Sequence, residues 1–196
     1  MYQRRACHLN QHPTLKVIVW HWTIFIIFHL TLTLASGADV EVYFSPNGGA
    51  TNAIVDEIDR AQREILIQAY TFTSAPIASA LITARTRGIT VEAILDKSNI
   101  KQGYSSMTTL ENAGIPVYID EHVKIAHSKI MIIDGREIIT GSFNFTMAAE
   151  YHNAENLVIL RNDPALVIKY MANFRWRLSL SHQANETGQG ELIRPR

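Results

Sequence analysis

Two apolar, β-branched runs on either side of Asp134-Gly135 constrain this chain more than any other feature. Lys124 to Ile133 reads as a buried strand, Asp134-Gly135 as a turn, and Glu137 to Thr140 as a returning strand. Residues two apart on a strand face the same way, so His127 and Lys129 project together and Ser128 faces away. The hairpin returns Gly141 to Asn144 alongside His127, with Ser142 and Asn144 again two apart. One surface is thereby predicted to hold an imidazole, an ammonium, a hydroxyl and an amide.

Those groups suit a phosphodiester. Imidazole is nucleophilic near neutral pH and also shuttles protons. Lys129 adds fixed positive charge, and Ser142 and Asn144 add neutral donors to oxygens on which charge grows during displacement at phosphorus. Gly141 lets the backbone approach a ligand closely. Asp134, before Gly135, is a turn residue on any reading and enters the site as a supporting member, not a reacting one. No Cys, His or carboxylate cluster has metal-ligand spacing, so no cofactor is expected. Taken singly, each residue has a bland explanation: a core histidine, a solvated lysine, a polar loop. Together they form H-x-K-x4-D-x6-G-S-x-N, six fixed residues within eighteen positions. A random match is on the order of 10^-8 per starting position at roughly one in twenty per fixed residue.

The pattern resembles that of the phospholipase D superfamily, and the chain is similar to its small, single-motif bacterial periplasmic endonucleases. Phe143-Asn144-Phe145-Thr146, Ala148-Ala149-Glu150 and Asn153-Ala154-Glu155-Asn156 continue in that style. Upstream, so do Tyr43-Phe44-Ser45-Pro46 and Gln68-Ala69-Tyr70-Thr71-Phe72-Thr73. The resemblance covers about residues 40 to 180 and implies catalytic roles for His127, Lys129, Ser142, Asn144 and Glu155, with Asp134 in support. It places Glu155 near the histidine, where it orients the ring. Large members of the superfamily carry two H-x-K motifs; this chain carries one. The resemblance therefore implies a homodimer in which two His127 residues meet across a two-fold axis, one as nucleophile and one as acid. The implied substrate is DNA, with RNA a second candidate. Two alternatives share this chemistry. One is a phospholipase D acting on lipid head groups. The other is a membrane-anchored nuclease processing small RNAs, a relative that carries a cysteine-containing zinc insertion absent here. A binding module with a dead site would have lost His127 or Lys129, and both are present.

The 196 residues suffice for one domain with a sizeable core, and 47% hydrophobic content excludes a disordered chain. Val17 to Leu34 is an almost unbroken apolar run preceded by Arg4, Arg5 and Lys16 and followed by Ala35-Ser36-Gly37-Ala38. It reads as a secretory signal cut after Ala38, leaving a periplasmic or secreted protein. The rival reading keeps residues 17–34 as a membrane anchor. Cys7, the only cysteine, lies in this leader, so the remainder needs no disulfide. The first 38 residues hold three basic residues and no acid, which leaves 15 basic and 18 acidic residues, a balance of −3. That balance argues against tight nonspecific coating of duplex DNA but allows a local basic groove.

Strands at Val40–Phe44, Glu64–Phe72, Ile89–Leu95, Ile115–Ile119 and Asn156–Leu160 alternate with helices, which predicts an α/β domain over 39–182, a mixed sheet with helices on both faces. Thr51 or Asn52 is expected to cap the first helix, Ser74-Ala75-Pro76 to open the second and Asp163-Pro164 the last. Residues 96–103 read as a polar loop and 183–196 as a frayed tail. Lys97, Lys101, Tyr104 and Lys124 are expected to border the site. A metal site built from Glu121, His122 and His127 suits no common spacing, and Trp176 with Arg175 and Arg177 reads as aromatic packing with exposed charges.

Overall fold

The computed structural model describes residues 37–101 and 105–184; the apolar run 17–34, Tyr104 and the residues beyond 184 lie outside them. The strands are β1 (Asp39–Phe44), β2 (Glu64–Ala69), β3 (Thr90–Asp96), β4 (Val117–Asp120), β5 (Lys129–Ile133), β6 (Glu137–Gly141), β7 (Asn156–Arg161) and β8 (His182–Gln183). The helices are α1 (Ala50–Arg60), α2 (Ala75–Thr86), α3 (Ser98–Lys101), α4 (Met107–Asn112), α5 (Met147–Tyr151) and α6 (Pro164–Ser179). One eight-stranded sheet runs β1-β7-β6-β5-β2-β3-β4-β8. Only β2, β3 and β4 are mutually parallel; the remaining pairs are antiparallel. Period-two alternation splits the side chains between two layers. Ile65, Ile67, Met131, Ile133, Ile139 and Leu157 join the core beneath α1 and α2, whereas Leu66, Ile94 and Ile132 meet Phe174 of α6 on the other face. Helices on both faces of a mixed sheet are therefore present, as the alternation of segments predicts.

Several boundaries differ from expectation. Phe72 does not extend β2 but forms an isolated bridge with Phe145. The 96–103 loop contains the single turn α3. Gln183, expected in the tail, pairs with Tyr118 across β4 and β8. α1 starts earlier than Thr51, behind a left-handed Gly49. Its free amides are met from a distance: Gly49 N and Thr51 N donate to the buried Glu150 carboxylate at 3.0 and 2.7 Å. The expected Asp163 cap is local, accepting from Leu166 N at 2.9 Å. Arg177 is not simply exposed, because it pairs with buried Asp120 and ties α6 to β4, while Trp176 stays 56% exposed.

The hairpin turn corrects the expectation for Asp134. It sits at the far end of β5 from Lys129, five residues or about 17 Å along the strand. Its buried carboxylate accepts from the backbone N–H of Gln62, Arg63 and Glu64, and so locks the α1–β2 connection onto the turn. Asp134 is structural. Asp134→Asn is expected to cost about 2–4 kcal/mol, because it removes the buried negative charge that these N–H groups face and sets an amide nitrogen against Gln62 N and Arg136 Nη2. Denaturant unfolding reads that loss, and activity per folded molecule should stay within about twofold.

Glu137 lies at the same end of the sheet. It accepts from Arg161 Nε at 3.2 Å, while its Oε1 is buried without a partner. Burial, and then the negative charge of Glu57, push its pKa from 4.5 up to about 7. The folded state thus holds a proton that the unfolded chain releases near pH 4.5, and its contribution to stability fades as pH rises toward 7. Glu137→Gln should raise the melting temperature by several degrees at pH 8 and hardly at all at pH 4.5, since only the charged form is disfavoured. Equal shifts at both pH values would show that charge is not the cause.

Candidate active site

The opposite end of the sheet gathers the motif. Lys129 opens β5, and Gly141 closes β6 one residue beyond the Ile130–Thr140 pair, so the Gly-Ser-x-Asn loop leaves the sheet beside Lys129. Alternation continues through that loop. Phe143 and Phe145 are buried, whereas Ser142 is exposed and Asn144 half-buried. Gly141 has φ 146, and a Cβ there would stand 2.2 Å from Asn156 O, so only glycine fits. Asn156 fastens the loop with three bonds: its carbonyl accepts from Ser142 N and Phe143 N at 3.0 and 3.2 Å, and its N–H donates to Ser142 Oγ at 3.0 Å. The Ser142 hydroxyl hydrogen remains available to a ligand.

His127 precedes β5 and does not lie on a strand. Residues 121–128 form a loop held from the end of β3: Ala126 N donates to Asp96 Oδ2 at 2.7 Å and Lys97 Nζ to the Val123 carbonyl at 3.1 Å. Tyr70 N adds a bond to the Ser128 carbonyl at 2.9 Å. The predicted pairing of His127 with Lys129 survives through this route. Lys129 Nζ lies 2.9 Å from His127 Nδ1 and donates to the His127 carbonyl at 2.8 Å. The imidazole packs on the Tyr70 ring, with centroids 4.5 Å apart, and Lys129 Nζ sits 5.2 Å from that ring. Lys129 is 6% exposed; burial lowers its pKa, and the charge of Glu155 pulls it partly back. The imidazole itself is exposed.

Three expectations differ in detail. Glu155 makes no hydrogen bond to His127 among the described residues; it accepts from Asn153 Nδ2 at 3.1 Å and acts on Lys129 through charge. Asn144 faces a neighbouring cleft of about 680 Å³ together with Thr71, Thr73, Ser105 and Thr146, and its Oδ1 is buried without a partner. His122 is exposed at the rim, and among the described residues no group of three or more His, Cys, Asp or Glu is placed to hold a metal. Residues to which the sequence assigned no role also matter here. Tyr70 supports the imidazole. Buried Asn99 holds the Tyr70 segment by donating to its carbonyl at 2.7 Å and accepting from Phe72 N at 3.3 Å. The Tyr70 segment stood out only by resemblance, and nothing local marked Asn99.

This arrangement has counterparts among known proteins. Residues 54–178 match the family described as "Cardiolipin synthase, PLD-like domain". A protein of Rickettsia conorii named phospholipase D is 43% identical over 148 residues, covering 76% of this chain and 74% of that one. The mitochondrial cardiolipin hydrolase of Xenopus tropicalis is 32% identical over 115 residues, 59% of this chain and 54% of its own length. Among solved structures, the phospholipase D family member Nuc from Salmonella typhimurium superposes with a TM-score of 0.72 at 35% identity, covering 74% of this chain and 97% of that one. NucT from Helicobacter pylori shares the fold, with a TM-score of 0.69 at 24% identity. With its motif intact and its sheet in the same arrangement, the chain belongs to the phospholipase D superfamily and is one of its phosphodiesterases.

Proposed function

We propose that this phosphodiesterase is a metal-independent endonuclease that hydrolyses DNA, with RNA as a second substrate, as a homodimer. The observation that carries the reading is the exposed His127 imidazole held by buried Lys129, in a chain with a single motif. One His127 attacks phosphorus and expels the leaving oxygen, forming a phosphohistidine. The partner's His127 protonates that oxygen, then takes a proton from the water that cleaves the phosphohistidine. Lys129, Ser142 and Asn144 hold the phosphate oxygens. The acid is the imidazolium form, which becomes the neutral ring on giving its proton to the leaving oxygen and is restored by the proton from water. The similarity to Salmonella Nuc over nearly its whole length supports the small single-motif format. The apolar run 17–34 supports export with cleavage after Ala38, and a mature N-terminus at Asp39 would establish it.

Phospholipid head-group release is the second reading. The Rickettsia relatives bear that name, and apolar Phe44, Met147 and Tyr151 are exposed near the Ser142–Asn156 loop. Full-length protein incubated in excess EDTA with plasmid DNA, RNA and phospholipid vesicles separates the two. Cleavage of nucleic acid that survives EDTA is the expected outcome. Head-group release with intact nucleic acid would replace the nuclease reading.

A further inference from the structure

A second cleft, of about 460 Å³, borders Tyr70. Lys97, Lys101 and Lys124 line it together with Tyr70. Two separate segments therefore bring three ammonium groups to one place: the β3–α3 junction and the loop before His127. Lys97 is pinned by its bond to the Val123 carbonyl, which fixes one of the three. Two acids, Asp96 and Glu121, line the same cleft against the three lysines. Asp96 accepts from Ser98 N at 2.9 Å and from Ala126 N at 2.7 Å, and Glu121 faces His182 at 3.7 Å. Among the described residues neither Lys101 nor Lys124 has a carboxylate within ion-pair distance, and both are exposed.

The charge is notable against its background, because the chain beyond the leader is net acidic. The other flank of the site is different in kind. The Asn144 cleft is lined by hydroxyls of Thr71, Thr73, Ser105 and Thr146 and carries no charged side chain. The two flanks thus differ in charge: neutral polar groups line the Asn144 cleft, and three lysines line the one beside Tyr70. Tyr70 lines the cationic cleft, and its ring packs on the His127 imidazole with centroids 4.5 Å apart.

We infer that Lys97, Lys101 and Lys124 form a subsite for a second phosphate, the one next to the bond being cut. Efficient substrates then carry at least two phosphodiesters in series, as a nucleic-acid strand does. This deepens the nuclease reading and rests on it. Phosphate contacts of this kind position a strand without reading its sequence, and they weaken with salt.

The test compares a dinucleotide, with one phosphodiester, and a trinucleotide, with two, as substrates of the full-length chain. The wild type should favour the trinucleotide by at least about tenfold in kcat/KM at low salt, and less as salt rises. In the Lys101→Ser/Lys124→Ser double variant that preference should collapse toward one, and the Lys101→Arg/Lys124→Arg variant should restore it. A wild-type preference near one, or a preference that survives loss of both lysines, overturns the subsite. A wild type that cuts neither nucleotide but hydrolyses cardiolipin vesicles fails differently: it removes the nuclease reading, and the nucleic-acid source of the second phosphate with it.

Discussion

His127→Ala is expected to lower kcat/KM on DNA by at least about 10^3-fold, because one substitution removes two roles from a paired site. In the proposed dimer the same residue is nucleophile in one chain and acid in the other. Neither Lys129 nor Ser142 can take over, since each lacks a lone pair poised to accept and return a proton at neutral pH. The fold should be untouched, for the imidazole is exposed and its loop is held by Asp96, Lys97 and Tyr70, not by His127 itself. Mixed dimers sharpen the test. If two chains share one site, an equal mixture of wild-type and His127→Ala chains leaves about one quarter of dimers with both imidazoles. Activity should fall toward that quarter. Retention of half the activity would mean that each chain works alone, and the two-fold site would be abandoned. Full activity of His127→Ala itself would remove the phosphohistidine.

The hairpin was legible because its signals are local and agree with one another. Isoleucine-rich runs flank an Asp-Gly turn, and the period of two that buries Ile132 and Ile138 on one face also sets Ser142 and Asn144 against Phe143 and Phe145. The same logic overreached at its edges. The strand did not run back to Lys124, because Ala126 and Val123 bond to the end of β3 and not to a neighbouring strand. Spacing alone could not say that Asp134 and His127 belong to opposite ends of the sheet, since a fixed interval in sequence becomes a distance only once the strand has a direction. Contacts between distant segments were out of reach: Glu150 capping α1 from 99 residues away, and Asn99 steadying Tyr70 from 29, depend on topology and leave no local pattern.

Gly141→Ala should cost at least about 3 kcal/mol, near 6–12 °C in melting temperature for a chain of this size. Two effects add. The residue holds φ 146, where an L side chain is strained. Its new Cβ would also lie 2.2 Å from Asn156 O, 3.0 Å from Asn156 C and 3.2 Å from Leu157 Cα. All three are backbone atoms, so no side chain can swing aside. Relief requires β6 and β7 to part where Ser142 N and Phe143 N bond to the Asn156 carbonyl. Because that carbonyl fastens the Gly-Ser-x-Asn loop, activity should fall further than stability alone dictates. Gly135→Ala separates the causes. It also has positive φ, 62, but its Cβ would meet only the ends of the Glu64 and Arg63 side chains, at 3.4 and 3.8 Å. Strain without a clash should cost about 1 kcal/mol and leave activity per folded molecule unchanged. If both substitutions cost the same, the close approach of Gly141 to Asn156 is not what shapes the site.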